Sequence, residues 1–335
     1  MEGAYYNGQY LNRLERLGYS QAEIDNKLES TFEEMFYGPE GVRLCHCAGP
    51  DMMYIEDTGN HDVRTEGMSY AMMFCVQMNR QKEFDCLWRW VVTHMYLTEG
   101  ENAGYFAWSC HTDGSKNSDG PAPDGEEFFA MSLFFAANRW GSGEGILDYA
   151  SWARRILHAC VHKGEEAGSG FPMWNPENHL IKFIPNCEFT DPSYHLPHFY
   201  ELFALWSDEC DRPFWHAAAA ASRQYLRKAC HARTGLSAEY AEYDGRPHRG
   251  DQPDRHDWFF SDAYRTLGNI ALDAQWFGDK DGWAQETAAH IQQFFEEKEH
   301  GQTNGIYLID GTPVEGNALH PVASGYHCAG FPDSG

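Results

Sequence analysis

The sequence predicts an all-α fold, one domain whose helices are joined alternately by short turns and long loops, the organisation of an α/α toroid. Three observations predict it. Apolar residues recur at the helical period in nine segments. Strand signals are short and isolated, at 105–108, 181–184 and 306–309. Two connections, 98–123 and 164–190, are long and irregular, and loops of that length inside a compact chain usually carry function. A helical solenoid would share the helices, but no repeat of fixed length is visible.

Each element follows from its residues. Residues 9–37 read as one amphipathic helix, with Leu11, Leu14, Leu17, Ile24, Leu28 and Phe32 on its apolar side and Gly38-Pro39 ending it. A second helix covers 65–79, with Thr65 as its cap and Glu66 in its first turn. Phe84, Leu87, Trp88, Val91 and Met95 share one side of a third, 83–97. The first long loop carries Tyr105 and Trp108. Asp124 then opens a fourth helix that runs to Trp140, and 145–163 form a fifth. The second long loop carries Trp174. Further helices are expected at 192–207, 212–231, 257–276 and 281–299, with Asp257 capping the third of these. Residues 321–335 have no helical period and no capping logic, so the catalytic domain is expected to span 1–320, with an aberrant tail behind it.

Composition narrows the function. The 335 residues suffice for a large core, and the net charge of −25 argues against a partner with a phosphate backbone. No run of about eighteen apolar residues is present, so a membrane span is not expected. The first residues lack the basic start and apolar centre of a secretory signal, which makes the cytoplasm the expected compartment. The 11 Trp, 18 Tyr and 21 Phe suit either a ring-rich core or a cleft in which pyranose rings stack. Cys45-His46-Cys47, with His61 and His111 as the nearest other ligands, lacks a second pair at zinc-like spacing. Reduced, mostly buried thiols are the expectation, with no metal and no cofactor.

Three carboxylates stand at expected helix starts: Glu66, Asp124 and Asp262. Hydrolysis of a glycosidic bond takes one acid to protonate the leaving oxygen and one carboxylate to activate water or attack the sugar. Glu66 suits the acid, because Gly67, Ser69 and Ala71 beside it would let a substrate approach. A first-turn glutamate that only stabilises its helix dipole is the structural alternative. Asp124 lies in Ala122-Pro123-Asp124-Gly125-Glu126-Glu127, where three acids crowd four positions. Asp262 and Arg265 are spaced to pair on one helix face.

At these residues the sequence resembles glycoside hydrolase family 8. Ala122-Pro123-Asp124-Gly125-Glu126-Glu127-Phe128-Phe129-Ala130-Met131-Ser132-Leu133 follows that family's signature, from which Pro123, Glu126 and Phe129 depart. Thr65-Glu66-Gly67-Met68-Ser69-Tyr70 resembles its general-acid segment, and Asp262-Ala263-Tyr264-Arg265 the segment of its base. The likeness runs from about residue 5 to 322 and implies an inverting (α/α)6 barrel. It implies Glu66 as proton donor, Asp262 as base, Asp124 as the grip on the distorted sugar, and Tyr194 as a holder of the nucleophilic water. Asp257-Trp258-Phe259-Phe260-Ser261-Asp262-Ala263-Tyr264-Arg265 and Leu319-His320-Pro321 resemble the branch that releases xylose from the reducing end of xylo-oligosaccharides. There His320 would wall off the cleft after one sugar. Trp108, Tyr105 and Trp174 are candidate stacking rings, with Trp108 favoured, and Arg265 is a candidate binding residue.

The resemblance also implies helices beyond the His-Pro segment, so the toroid is expected to be incomplete at its C-terminus. Xylo-oligosaccharides are the expected partners of a monomer or weak homo-oligomer. Two other outcomes stay open: an endo-acting xylanase, glucanase or chitosanase of the same family, and an inactive sugar-binding remnant.

Overall fold

The computed structural model describes residues 2–165, 169–250, 255–300 and 305–314. Its α-helices are α1 (Ala4–Asn7), α2 (Arg13–Arg16), α3 (Gln21–Tyr37), α4 (Thr65–Gln77), α5 (Gln81–Trp90), α6 (Pro123–Trp140), α7 (Tyr149–His162), α8 (Pro197–Trp206), α9 (Arg212–Ala229), α10 (Arg265–Phe277) and α11 (Trp283–Glu299). Short strands pair antiparallel in twos: β1 (Cys45–Cys47) with β2 (Met53–Ile55), β3 (Val63–Arg64) with β4 (Ser109–Cys110), and β5 (Trp258–Phe259) with β6 (Tyr307–Leu308). The chain forms two compact units. One is Asn12–Met173 with Trp206–Glu209, the α4 unit; the other is Met1–Leu11, Trp174–Leu205 and Cys210–Gly335, the α10 unit. Among the described residues no helix is long and apolar enough to cross a membrane.

In the α4 unit, α6 packs against both α4 and α7, and α5 packs against α4. Met68, Ala71, Met72, Cys75 and Val76 bury most of the circumference of α4, and Phe129, Ala130, Met131, Leu133 and Phe134 do the same for α6. Helices that are apolar nearly all round belong inside a packed layer. α5 is amphipathic instead. It buries Phe84, Leu87 and Trp88, and the indole of Trp88 donates to the Ile146 carbonyl at 2.7 Å.

The expected single helix over 9–37 is two separate helices, α2 and α3. Gly18 takes φ 97°, in the left-handed region that favours glycine, and breaks the run. Ser20 then starts α3 with a capping box shared with Glu23. Leu17 is left 75% exposed, whereas Ile24 and Phe32 are core. The expected helix 83–97 ends as α5 at Trp90 and continues as one π turn, Val91–Met95. The signals at 105–108 and 181–184 give only isolated bridges, Tyr96 with Phe106 and Trp174 with Ile181.

In the α10 unit, Leu236, Phe259, Leu267, Ile291, Phe295 and Tyr307 form a core between α10, α11 and the β5–β6 pair. Arg223 of α9 clamps α10 from the other side. Its Nε and Nη2 donate to the two carboxylate oxygens of Asp273 at 2.8 and 2.7 Å. The expected helix 257–276 is a strand, a 3-10 turn (Ser261–Tyr264) and then α10. Asp257 does not cap it; it pairs with Arg255 at 2.8 Å.

Candidate active site

The sequence-predicted residues gather in two groups, one in each unit. Glu66, Asp124 and Trp108 belong to the α4 unit, and Asp262, Arg265 and Tyr194 to the α10 unit.

Glu66 lies in the first turn of α4 and Asp124 in the first turn of α6. Gly125 sets their spacing. A Cβ built there would come within 2.5 Å of the Thr65 Cβ and 2.6 Å of its Oγ1, so the two first turns lie against each other with room only for glycine. Thr65 is therefore no cap: it is the first helical residue, and its side chain is buried in that contact. Both carboxylates sit where helix dipoles favour negative charge. Asp124 is buried, with its Oδ1 accepting from the Gly125 N–H at 3.0 Å, and Glu66 is half-buried. The small residues beside Glu66 are also held by packing. A Cβ on Gly67 would meet Ile55 Cγ2 at 3.3 Å, and Ser69 and Ala71 are buried, so their size serves packing.

The loop that carries Trp108 is tied to the same place. The Thr65 N–H donates to the Trp108 carbonyl at 2.9 Å, and β3–β4 pairs Arg64 with Ser109. The Arg64 guanidinium lies 5.2 Å from the centre of the Trp108 ring, and its Nε donates to Asp62 at 3.0 Å. Ser109 Oγ donates to the second Asp62 oxygen at 2.9 Å. Further back, Glu126 Oε1 accepts from the Phe106 N–H at 3.0 Å. Glu126 is fully buried, and that burial pushes its carboxyl up to about 8, against the pull of the Phe106 amide. Of the three crowded acids, this is one whose charged form burial disfavours.

Trp108 is 36% exposed and can offer ring surface to a sugar. Tyr105 and Trp174 cannot, which corrects the expectation for both. Tyr105 is 0% exposed, with its single hydroxyl proton shared between the carbonyls of Ala159 and Phe171, 3.1 and 2.9 Å away. Trp174 is 1% exposed and packs edge-on against Tyr200 and Trp215. His320 lies outside the described residues.

In the α10 unit, Asp262 sits in the 3-10 turn before α10, and Arg265 Nη2 lies 2.9 Å from its Oδ2, as the spacing predicted. The same guanidinium lies 5.6 Å from the centre of the Tyr194 ring. Two more carboxylates stand near this pair, and neither was singled out from sequence. Asp191 is fully buried, which pushes it up to about 8 although Arg265 pulls the other way. Glu239 is raised by burial and lowered by His256, whose Nδ1 is 2.9 Å away. Tyr240 stacks on His256 at 4.2 Å and meets the Phe183 ring at a tilt, also at 4.2 Å, giving the group an aromatic flank. Asp191-Pro192 was the available signal, since an aspartate before proline commonly starts a turn; its burial was not readable.

Strand alternation keeps Cys45-His46-Cys47 from acting as one ligand set. His46 points to the opposite face from Cys45 and reaches Glu56 at 3.4 Å. Burial holds Cys45 as a thiol, pushed up to about 12.

The sequence model of Glycosyl hydrolases family 8 matches residues 19–323. The reducing end xylose-releasing exo-oligoxylanase of Halalkalibacterium halodurans is 54% identical over 322 residues, 96% of this chain and 81% of that protein. The enzyme of the same name from Bifidobacterium adolescentis is 55% identical over 305 residues, 91% of this chain and 78% of that one. The structure of Rex8A from Paenibacillus barcinonensis complexed with xylose matches with a TM-score of 0.91 at 54% identity, covering 96% of this chain and 84% of that one. The expected fold class is borne out: this is the all-α (α/α)6 barrel of that family. With a family match across both units, and relatives more than half identical along most of their length, the chain belongs to glycoside hydrolase family 8 and is a glycoside hydrolase.

Proposed function

We propose that this chain hydrolyses short xylo-oligosaccharides at the β-1,4 bond nearest the reducing end, releasing one xylose with inversion of the anomeric centre. The observation that carries the proposal is 54% identity along 96% of the chain to an enzyme named for that activity. The carboxylates at the first turns of α4 and α6 and the Asp262–Arg265 pair support it.

In this mechanism Glu66 gives its proton to the glycosidic oxygen as the C–O bond breaks. Asp262 takes a proton from a water whose oxygen bonds to the anomeric carbon from the opposite face. Glu66 ends ionised and Asp262 protonated, and exchange with solvent resets both. Inversion needs a gap of roughly 6.5–9.5 Å between the two carboxyl groups, to hold that water. Asp124 binds the ring at the reacting subsite, Tyr194 orients the water, Arg265 holds Asp262 in place, and Trp108 stacks on a xylose ring. His320 is the wall that limits the leaving group to one sugar. The working form is a cytoplasmic monomer or weak homo-oligomer that needs no cofactor.

Xylotriose labelled at its reducing end tests the proposal. The expected products are labelled xylose and unlabelled xylobiose, with the α-anomer appearing first by NMR. Label retained in xylobiose, the β-anomer first, or preferential shortening of polymeric xylan would each overturn it, the last in favour of an endo-acting enzyme.

A further inference from the structure

The turn that carries Tyr194 is held from two sides. Asp191 Oδ1 accepts from the Ser193 N–H at 2.7 Å, capping the 3-10 turn Pro192–Tyr194. The Asn269 side-chain amide donates to the Ser193 carbonyl at 2.7 Å, and Asn269 lies on α10, one turn after Arg265. Thr190, the residue before Asp191, exchanges two backbone hydrogen bonds with Ala241, both 2.9 Å, which fixes where the aspartate starts. Asp191 itself is 1% exposed, and among the described residues Arg265, Asp262, Tyr225 and Tyr240 are near enough to act on it electrostatically. Arg265 in turn spans the Tyr194 ring and Asp262.

We propose that Asp191 is a positioning residue for hydrolysis, fixing the Tyr194 turn so that it stays in register with Asp262. This rests on the roles given to Asp262 and Tyr194 above. Asparagine keeps the Oδ1 acceptor for the Ser193 N–H and can stand in for the aspartate.

The test uses the full chain and compares Asp191→Ala, Asp191→Asn and Asn269→Ala. Each is assayed on xylotriose, a cello-oligosaccharide and a chitosan oligomer, with thermal melts alongside. A misplaced turn is expected to lower kcat by about a hundred-fold in Asp191→Ala, with KM little changed. Asp191→Asn is expected to recover most of that loss. In a Tyr194→Phe background, Asp191→Ala should cost much less than it does alone, because the two act through one element. A folded Asp191→Ala with kcat close to that of the native chain overturns the proposal. So does a loss that is fully additive with Tyr194→Phe, or one that falls on KM alone. If Asp191→Ala does not fold, Asn269→Ala releases the same turn from its other side, and an unchanged kcat there is equally decisive. The positioning role concerns the base and holds on whichever glycan is cleaved, so a failure of the xylose assignment shows separately, as activity on another substrate.

Discussion

Replacing Glu126 by glutamine isolates the consequence of burying a carboxyl at the start of α6. The native side chain is fully buried, accepts from the Phe106 N–H through Oε1, and has its folded value raised from 4.5 to about 8. A group raised in this way contributes stability that is fully present below its unfolded value and is lost as pH rises through its folded value. The window therefore runs from 4.5 to about 8. At about 1.4 kcal/mol per pH unit, the loss across it is of the order of 5 kcal/mol as an upper bound. Glutamine keeps the Oε1 acceptor for Phe106 and cannot ionise. Its buried amide brings a second donor without an evident partner, at roughly 1–3 kcal/mol. Urea unfolding followed by circular dichroism at pH 5, 7 and 9 should thus give crossing curves. Glu126→Gln is expected to be no more stable than the native chain at pH 5 and clearly more stable at pH 9. Asp191 and Glu239 titrate in the same direction in both proteins, so the difference between the two belongs to Glu126. Parallel pH responses would refute the reasoning and mean that the carboxylate is carried ionised inside the fold.

The remaining predictions use the same structure. Glu66→Gln should lower kcat on xylotriose by about 10²–10⁴-fold, the usual contribution of a general acid, with substrate still bound in calorimetry. Gly125→Ala forces the first turns of α4 and α6 apart. It should cost about 1–3 kcal/mol in urea unfolding and reduce kcat, whereas an unchanged melt would show that the turns can separate freely. Arg223→Ala strips the buried Asp273 of both its hydrogen bonds and should destabilise the chain by about 3–5 kcal/mol, measured the same way.

How much was legible in advance differs element by element, for physical reasons. The inner helices α4 and α6 were legible because apolar runs of helical length carry their own signal. So was the Asp262–Arg265 pair, which is a local spacing. The break before α3 was also written locally, in Gly18 and in Ser20 with Glu23, but the apolar periodicity on either side overrode it. Of the β5–β6 pair, β6 was legible as the signal at 306–309, but its partner was not, since Trp258 meets Leu308 across a long stretch of chain. The loop aromatics show the limit most clearly. Trp108 and Trp174 look alike in sequence, yet one is partly exposed and the other is sealed against Tyr200 and Trp215. Asp191 escaped notice because the groups near it, Tyr225, Tyr240, Asp262 and Arg265, come from much later in the chain.

The hydrogen bond from the Thr65 N–H to the Trp108 carbonyl makes the loop and α4 a single mechanical part. Substrate preference in such enzymes is commonly retuned by grafting or randomising loops, on the assumption that the chemistry underneath stays still. Here that assumption fails at residue 108. A graft that moves this carbonyl also moves the first residue of α4, and Glu66 is the next one. Libraries that keep the backbone of 106–110 and vary the loop on either side should therefore retain turnover that libraries crossing those residues lose.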